Sequence, residues 1–125
     1  MDINIEKLNA AVQDLRGMLK DGLLATDIWD RASGLSLAGL NPQPAAVALF
    51  TDMTNSLTSA LSDSGFPGLK RYYFLDLEGD HTVMIIRHGN DLLQGMLLNS
   101  QKVNLGMLLA IAMPKMLTAV EKARG

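Results

Sequence analysis

The chain has 125 residues, of which 48% are hydrophobic and 19% are charged, and it contains no cysteine. This length is typical of a single domain, here spanning residues 1–125, and the lack of cysteine excludes a disulfide framework and thiolate chemistry. The formal net charge of −2 offers no basic surface to nucleic acid, and the low charged fraction favours an oligomer.

We expect a cytoplasmic protein without a membrane span. The apolar run over residues 103–114 is uncharged, but it is shorter than the roughly 20 apolar residues that cross a bilayer, and Lys115 follows it. The first six residues are acidic and lack the basic-then-apolar order of a signal peptide. The absence of cysteine also fits a reducing compartment.

An amphipathic helix is predicted over residues 3–20. Its apolar residues recur at steps of three and four, which places them on one stripe: Ile5, Leu8, Val12, Leu15 and Leu19. Asp21-Gly22 is expected to end this helix, with Gly22 as a left-handed cap.

Two strands are predicted next, over residues 23–30 and 35–40. The segment between them is typical of a tight hairpin turn in which Gly34 supplies the positive φ. Alternation of side chains along the first strand divides it into two faces. One face holds Leu24, Thr26 and Ile28, and the other holds Ala25, Asp27 and Trp29.

The second helix, predicted over residues 44–62, carries little charge. Pro44 suits its first turn, and Asp52 is its only charged residue. Its apolar face consists of Val47, Leu49, Phe50, Met53, Leu57, Ala60 and Leu61. The opposite face consists of Thr51, Thr54, Asn55, Thr58 and Ser59. Because a solvated helix face usually carries Lys and Glu, we interpret these small uncharged residues as a contact for another helix.

A three-stranded meander is predicted over residues 69–98, with strands at 69–77, 81–88 and 92–98. The last helix is predicted over 103–123, and Pro114 should bend it or loosen it locally. The order α-β-β-α-β-β-β-α indicates an α+β fold, in which helices cover both faces of a five-stranded antiparallel sheet.

The histidines and carboxylates that could act in catalysis or bind a metal do not form a convincing site. His81 and His88 are an odd number of positions apart on one strand, so they should point to opposite faces, and we interpret both as exposed. The acidic residues near strand ends fit turns: Asp30, Glu78 and Asp80. Asp27 falls in mid-strand, where we expect an edge or interface position.

No cofactor is predicted, and we predict that the protein is not an enzyme. The sequence contains no phosphate loop, no nucleophile–base pair and no cluster with metal-ligand spacing. Its one basic–aromatic cluster, over residues 70–73, has two charges and is typical of a solvated strand start.

Two local runs resemble the roadblock family of dynein light-chain-like proteins. The first, Trp29-Asp30-Arg31-Ala32-Ser33-Gly34-Leu35-Ser36-Leu37-Ala38, is similar to the family's first hairpin and its Asp-Arg-x-x-Gly-like turn. The second, Val103-Asn104-Leu105-Gly106-Met107-Leu108, is similar to the Asn-Leu-Gly start of the family's last helix. The order of the predicted elements agrees with the family along nearly the whole chain.

The resemblance implies a profilin-like α/β sandwich that forms a homodimer. In the family the middle helix pairs with its copy across a twofold axis, and the third strand joins the two sheets edge to edge. On this chain the implied interface residues are Val47, Thr51, Thr54, Asn55, Thr58, Tyr72 and Phe74. Prokaryotic relatives commonly regulate Ras-like small GTPases.

We therefore predict a non-catalytic homodimeric adaptor or regulator that binds a Ras-like small GTPase. One alternative is a small-molecule sensor or binding domain, in which Trp29, Asp27 and Thr26 line a pocket. Another is a minor enzyme activity around Asp27 with His81 or His88.

Overall fold

The computed structural model describes residues 2–125 and shows a five-stranded antiparallel sheet with helices on both faces. In chain order its elements are α1 (Ile5–Leu19), β1 (Leu23–Asp30), β2 (Ser36–Leu40), α2 (Pro44–Asp63), β3 (Tyr72–Leu77), β4 (His81–His88), β5 (Leu92–Asn99), α3 (Leu105–Met107) and α4 (Met113–Ala123). The strand order is β2-β1-β5-β4-β3, so β2 and β3 are the edge strands. The predicted α+β architecture is confirmed.

The main core lies between one face of the sheet, here called the α1 face, and the helices α1 and α4. It contains Leu8, Val12 and Leu15 of α1, Met116 and Val120 of α4, and Ile28, Met84, Ile86, Leu92, Met96 and Leu98 of the sheet. Each of these side chains stabilises the fold by about 1.5–3 kcal/mol when it is fully removed from water. The apolar stripe predicted for the first helix is therefore what packs on the sheet, apart from the exposed Ile5.

Asparagine caps fix the starts of the first and last helices. The side chain of Asn4 accepts a hydrogen bond from the Lys7 amide at 3.0 Å, and Asn104 accepts one from the Met107 amide at the same distance. Each cap satisfies an amide that has no partner within the helix. The Asn-Leu-Gly run thus has a local role as the start of the last helix.

Pro114 opens the last helix into a π turn. This turn covers Leu108–Ala112, between α3 and α4. Pro114 has no N–H to donate to the Ala110 carbonyl, and its ring crowds that carbonyl, so a wider turn relieves the clash. The predicted loosening is confirmed. Of the helices described within residues 2–125, none is long and apolar enough to cross a membrane.

Two local predictions are wrong. Lys20, with a φ of 52°, adopts the positive φ at the end of α1, and Gly22 does not. Gly22 is instead required by packing, because a Cβ there would lie 2.5 Å from a methyl carbon of Val103. The third strand begins at Tyr72 and not at Leu69, because the Leu69 carbonyl accepts a hydrogen bond from the Arg87 side chain and not from the backbone of β4.

Candidate functional site

Helix α2 lies on the second face of the sheet, here called the α2 face, and three polar contacts hold it there. They join Thr51 to the Trp29 indole (2.9 Å), Thr54 to the Tyr73 hydroxyl (2.8 Å) and Asn55 to the Arg31 guanidinium (2.7 Å). Thr54 is the one residue of this 20-residue helix that is buried. A few specific hydrogen bonds, with little apolar burial, therefore position α2.

These contacts correct the interpretation of the small polar face of α2. The sequence predicts that Thr51, Thr54 and Asn55 face another helix, whereas the structure turns them toward the sheet of their own chain. The reason is that the buried indole of Trp29 and the hydroxyl of Tyr73 need partners on the α2 face, and threonine hydroxyls supply them.

The other predicted interface residues lie around this contact. Val47 is half-buried above the β1–β2 hairpin, and the Thr58 hydroxyl donates to the Thr54 carbonyl at 2.8 Å. Tyr72 and Phe74 lie on β3, on the α1 face, where their rings meet edge to face at 5.7 Å between centroids. Of the predicted set, Tyr72 is the one large apolar side chain that is clearly exposed.

The inward orientation of the threonines leaves an apolar flank of α2 uncovered. On this flank Leu49 is 53% exposed, and Met53 and Leu57 are half-buried. The Thr54–Tyr73 contact places the helix beside the edge strand β3, where Tyr72 is 38% and Leu77 is 43% exposed. We call the helix flank with Leu49, Met53 and Leu57, together with the β3 edge that carries Tyr72 and Leu77, the α2–β3 surface; along this edge Leu77 points to the α2 face and Tyr72 to the α1 face.

A pocket of about 110 Å³ lies between the first half of α2 and the sheet. Its lining is mostly apolar and includes Ala25, Trp29, Val47, Phe50, Val83 and Leu97. Asp27 also lines it, so two of the three side chains predicted around a pocket, Trp29 and Asp27, meet there. The third, Thr26, points to the α1 face, where its hydroxyl donates to the Gly95 carbonyl at 2.7 Å, so Asp27 is the chemically distinct group of the pocket.

Asp27 is 7% exposed and points to the α2 face from the middle of β1. Its carboxylate accepts a hydrogen bond from the Ser36 hydroxyl. Burial raises the pKa of this carboxyl above its ordinary value of 3.8, and the hydrogen bond from Ser36 opposes the rise. The expected edge position for Asp27 is therefore wrong, because β1 lies between β2 and β5 in the sheet.

A second polar group lies on the α1 face, inside the main core. The His88 ring is hydrogen-bonded to the Gln94 side chain at 2.8 Å, and Gln94 donates to the Thr26 hydroxyl at 3.1 Å. All three side chains are buried. These hydrogen bonds give partners to polar atoms that would otherwise have none in an apolar core. We therefore interpret the three side chains as stabilising the fold.

His88 is 5% exposed, and burial lowers its pKa to about 4. The hydrogen bond to Gln94 raises this pKa, and the nearby Arg124 guanidinium lowers it further. The prediction that His88 is exposed is therefore wrong, although His81 and His88 do point to opposite faces as predicted. The missed signal is Gln94, a polar residue between Leu92 and Met96 on the buried side of β5.

The structure does not assemble the alternative enzyme site. His88 and Asp27 lie on opposite faces of the sheet. His81 shares the α2 face with Asp27, but it pairs with Asn99, four residues along β5 from the Gly95 that pairs with Asp27. Over residues 2–125, no three His, Asp or Glu side chains are grouped so that they could hold a metal ion.

Asp30 forms turn contacts, as predicted, because its carboxylate accepts hydrogen bonds from the amide and the hydroxyl of Ser33.

No family model matches this sequence, and none of the curated proteins matches it. Solved structures match it in shape. MglB from Myxococcus xanthus is 12% identical, with 94% of this chain and 87% of that chain covered and a TM-score of 0.80. A Roadblock/LC7 domain from Streptomyces avermitilis is 13% identical, with 91% and 92% covered and a TM-score of 0.64.

Profilin from Schizosaccharomyces pombe has the same sandwich. It is 10% identical to this chain, with 92% of this chain and 94% of that chain covered and a TM-score of 0.57. At these identities the similarity concerns the fold. The chain therefore has a roadblock-type, profilin-like α+β fold, and the resemblance found in the sequence is confirmed at that level.

Proposed function

We propose that this protein is a non-catalytic homodimeric adaptor that binds and regulates a Ras-like small GTPase in the cytoplasm. The observation that carries the proposal is the α2–β3 surface, an apolar helix flank beside an unpaired strand edge. Such a combination supports self-association, because a twofold axis can bury both features against their copies.

The helix supports this assembly through its composition. From Gln43 to Ser62 the one charged residue is Asp52, so little charge opposes burial of Leu49 and Met53. A single copy of the chain leaves these side chains in contact with water. Two copies that bury them with the strand edge would form an interface of roughly 1,200–2,000 Å², the size of a stable complex.

The strand edge supports the same assembly. Edge strands usually carry charges, prolines or bulges that prevent pairing with other chains. Asp76 is the single charged residue of β3, and the strand pairs with β4 in an unbroken register from Tyr72 to Leu77. We propose that β3 pairs with its own copy, which would join two five-stranded sheets.

The proposed interface differs from the predicted one in its use of α2. Thr51, Thr54 and Asn55 hold the helix on its own sheet, and the flank with Leu49, Met53 and Leu57 provides the contact between copies. Tyr72 and Phe74, which belong to β3, remain part of the proposed interface, next to the contact between the two copies of this strand.

The GTPase role is supported by the roadblock-type fold and by the sequence resemblance to a family whose prokaryotic members commonly regulate Ras-like GTPases. The proposal needs no catalytic group on this chain. An adaptor can change the activity of a GTPase by binding one of its conformations more tightly than another.

The test is direct binding to the Ras-like GTPases of the same genome, each loaded with GDP or with a non-hydrolysable GTP analogue. We expect at least one of them to bind the immobilised protein in one nucleotide state and not in the other. If no GTPase binds the folded protein in either state, the regulatory role is contradicted.

A further inference from the structure

The pocket beneath α2 contains a buried carboxylate that no cation in the described chain neutralises. Within residues 2–125 the ion pairs involve Asp91, Glu121 and Arg124, not Asp27. The nearest basic residue of the hairpin, Arg31, directs its guanidinium to Asn55 at 2.7 Å. A buried charge without a counter-ion is costly, and such groups are usually paired or bound to a ligand.

The carboxylate also has unused acceptor capacity. An ionised carboxylate offers about four lone-pair positions, and the Ser36 hydroxyl occupies one of them. Burial raises the pKa of the Asp27 carboxyl, which means that its charged form is under-stabilised in this pocket. A cationic donor beside it would remove that penalty.

Glycines on both neighbouring strands keep the space around Asp27 open. Asp27 pairs with Gly39 of β2 and with Gly95 of β5. A Cβ at Gly39 would lie 3.1 Å from the Asp27 carboxylate, and a Cβ at Gly95 would lie 3.5 Å from the Trp29 ring. At these two paired positions no side chain covers the carboxylate, and Asp27 contributes to the lining of the pocket.

The remaining walls limit the size and polarity of an occupant. The volume of about 110 Å³ is well below the roughly 300–1,000 Å³ of sites for drug-sized ligands, so the occupant has only a few heavy atoms. Trp29, Phe50 and Val83 provide apolar contacts. The site therefore fits a short alkyl chain with one cationic end.

We propose that this pocket binds a small primary alkylamine, with its ammonium group donating hydrogen bonds to Asp27 and its alkyl chain against Trp29, Phe50 and Val83. This site goes beyond the adaptor role and involves none of the residues of the α2–β3 surface. Either proposal can therefore fail without the other.

The experiment is a titration of the full chain with n-butylammonium chloride, followed by the fluorescence of Trp29. Trp29 is the single tryptophan of the chain and lines the pocket, so the signal reports on this site. We expect a saturable change that sodium chloride does not produce. n-Butanol, which has the same alkyl chain without the charge, is expected to bind at least about tenfold more weakly.

Asp27→Asn keeps the size of the side chain and removes its charge, so it should weaken n-butylammonium binding at least about tenfold. Asp76→Asn, an exposed carboxylate on the other face of the sheet, is the matched control and should leave binding unchanged. Circular dichroism of each variant establishes that it is folded.

Gly95→Ala keeps the test decisive if Asp27→Asn does not fold. The added methyl group would meet the Ile85 and Trp29 side chains at 3.4 and 3.5 Å, which is ordinary contact, while it fills part of the pocket. We expect it to weaken n-butylammonium binding more than methylammonium binding. The proposal is overturned by the absence of a saturable response, by equal binding of n-butanol, or by unchanged binding in Asp27→Asn.

Discussion

Trp29→Ala is expected to lower the free energy of unfolding by about 3–5 kcal/mol, the cost of removing a large buried aromatic side chain. Trp29 is almost fully buried, and its ring lies over Gly95, where a Cβ would meet it at 3.5 Å. The substitution also removes the hydrogen bond that holds Thr51 of α2. Since a domain has about 5–15 kcal/mol of stability in total, this single change should remove a large part of it.

Urea denaturation followed by circular dichroism checks this prediction, because the variant has no tryptophan fluorescence. Thr51→Val separates the two contributions, since it leaves the indole ring in place and removes the hydroxyl that accepts from the indole N–H and donates to the Val47 carbonyl; it should cost about 1–3 kcal/mol. A loss of less than about 1 kcal/mol for Trp29→Ala would show that α2 and the sheet do not pack as described.

Acidification should destabilise the protein between pH 6.5 and pH 4 through His88. Its pKa is lowered from 6.5 to about 4 in the folded state, so in this range the unfolded chain takes up a proton that the folded chain does not. The contribution of His88 is therefore complete above pH 6.5 and is lost as the pH falls. The loss is about 1.4 kcal/mol per pH unit, or about 3 kcal/mol over the range.

His88→Leu tests the assignment. This variant leaves the side-chain oxygen of Gln94 without its partner and should be less stable at pH 7, but the difference from the original protein should shrink as the pH falls to 4. His81→Gln, at the other end of β4, is the matched control and should keep the original pH dependence. A pH dependence that survives in His88→Leu would contradict the burial of a neutral His88.

The carboxyl groups of Asp91 and Asp27 do not produce this change. The Arg124 guanidinium lowers the pKa of Asp91, so the contribution of that ion pair is lost only as the pH falls below 3.8. The pKa of Asp27 is raised, so protonation of Asp27 at low pH favours the folded state and acts against the trend expected from His88.

The order of helices and strands could be predicted because the spacing of apolar residues along the chain indicates which side of each element is buried. The stripe of Leu8, Val12 and Leu15 packs on the sheet as expected, and the alternation along β1 correctly places Asp27 and Trp29 on one face. Pro114 correctly indicates the irregular turn of the last helix, because the missing N–H is a property of the residue itself.

The orientation of α2 could not be predicted in the same way. Both sides of the helix have almost no charged residues, so neither the composition nor the spacing of the apolar residues shows which side packs on the sheet. The choice depends on distant partners, because the Trp29 indole and the Tyr73 hydroxyl bind Thr51 and Thr54. The burial of His88 could not be predicted for the same reason. Its position next to a turn suggests exposure, whereas a hydrogen bond to Gln94 on another strand allows its ring to lie in the core.

If two copies of the chain associate through the α2–β3 surface, light scattering should give a mass in solution near 27 kDa, twice the 13.5 kDa of the chain. Leu49→Lys should reduce the mass to that of one chain, whereas Ile111→Lys, a matched change of an exposed apolar residue on the opposite side, should not. A mass of one chain for the original protein, or a dimer that Leu49→Lys does not affect, would contradict this association.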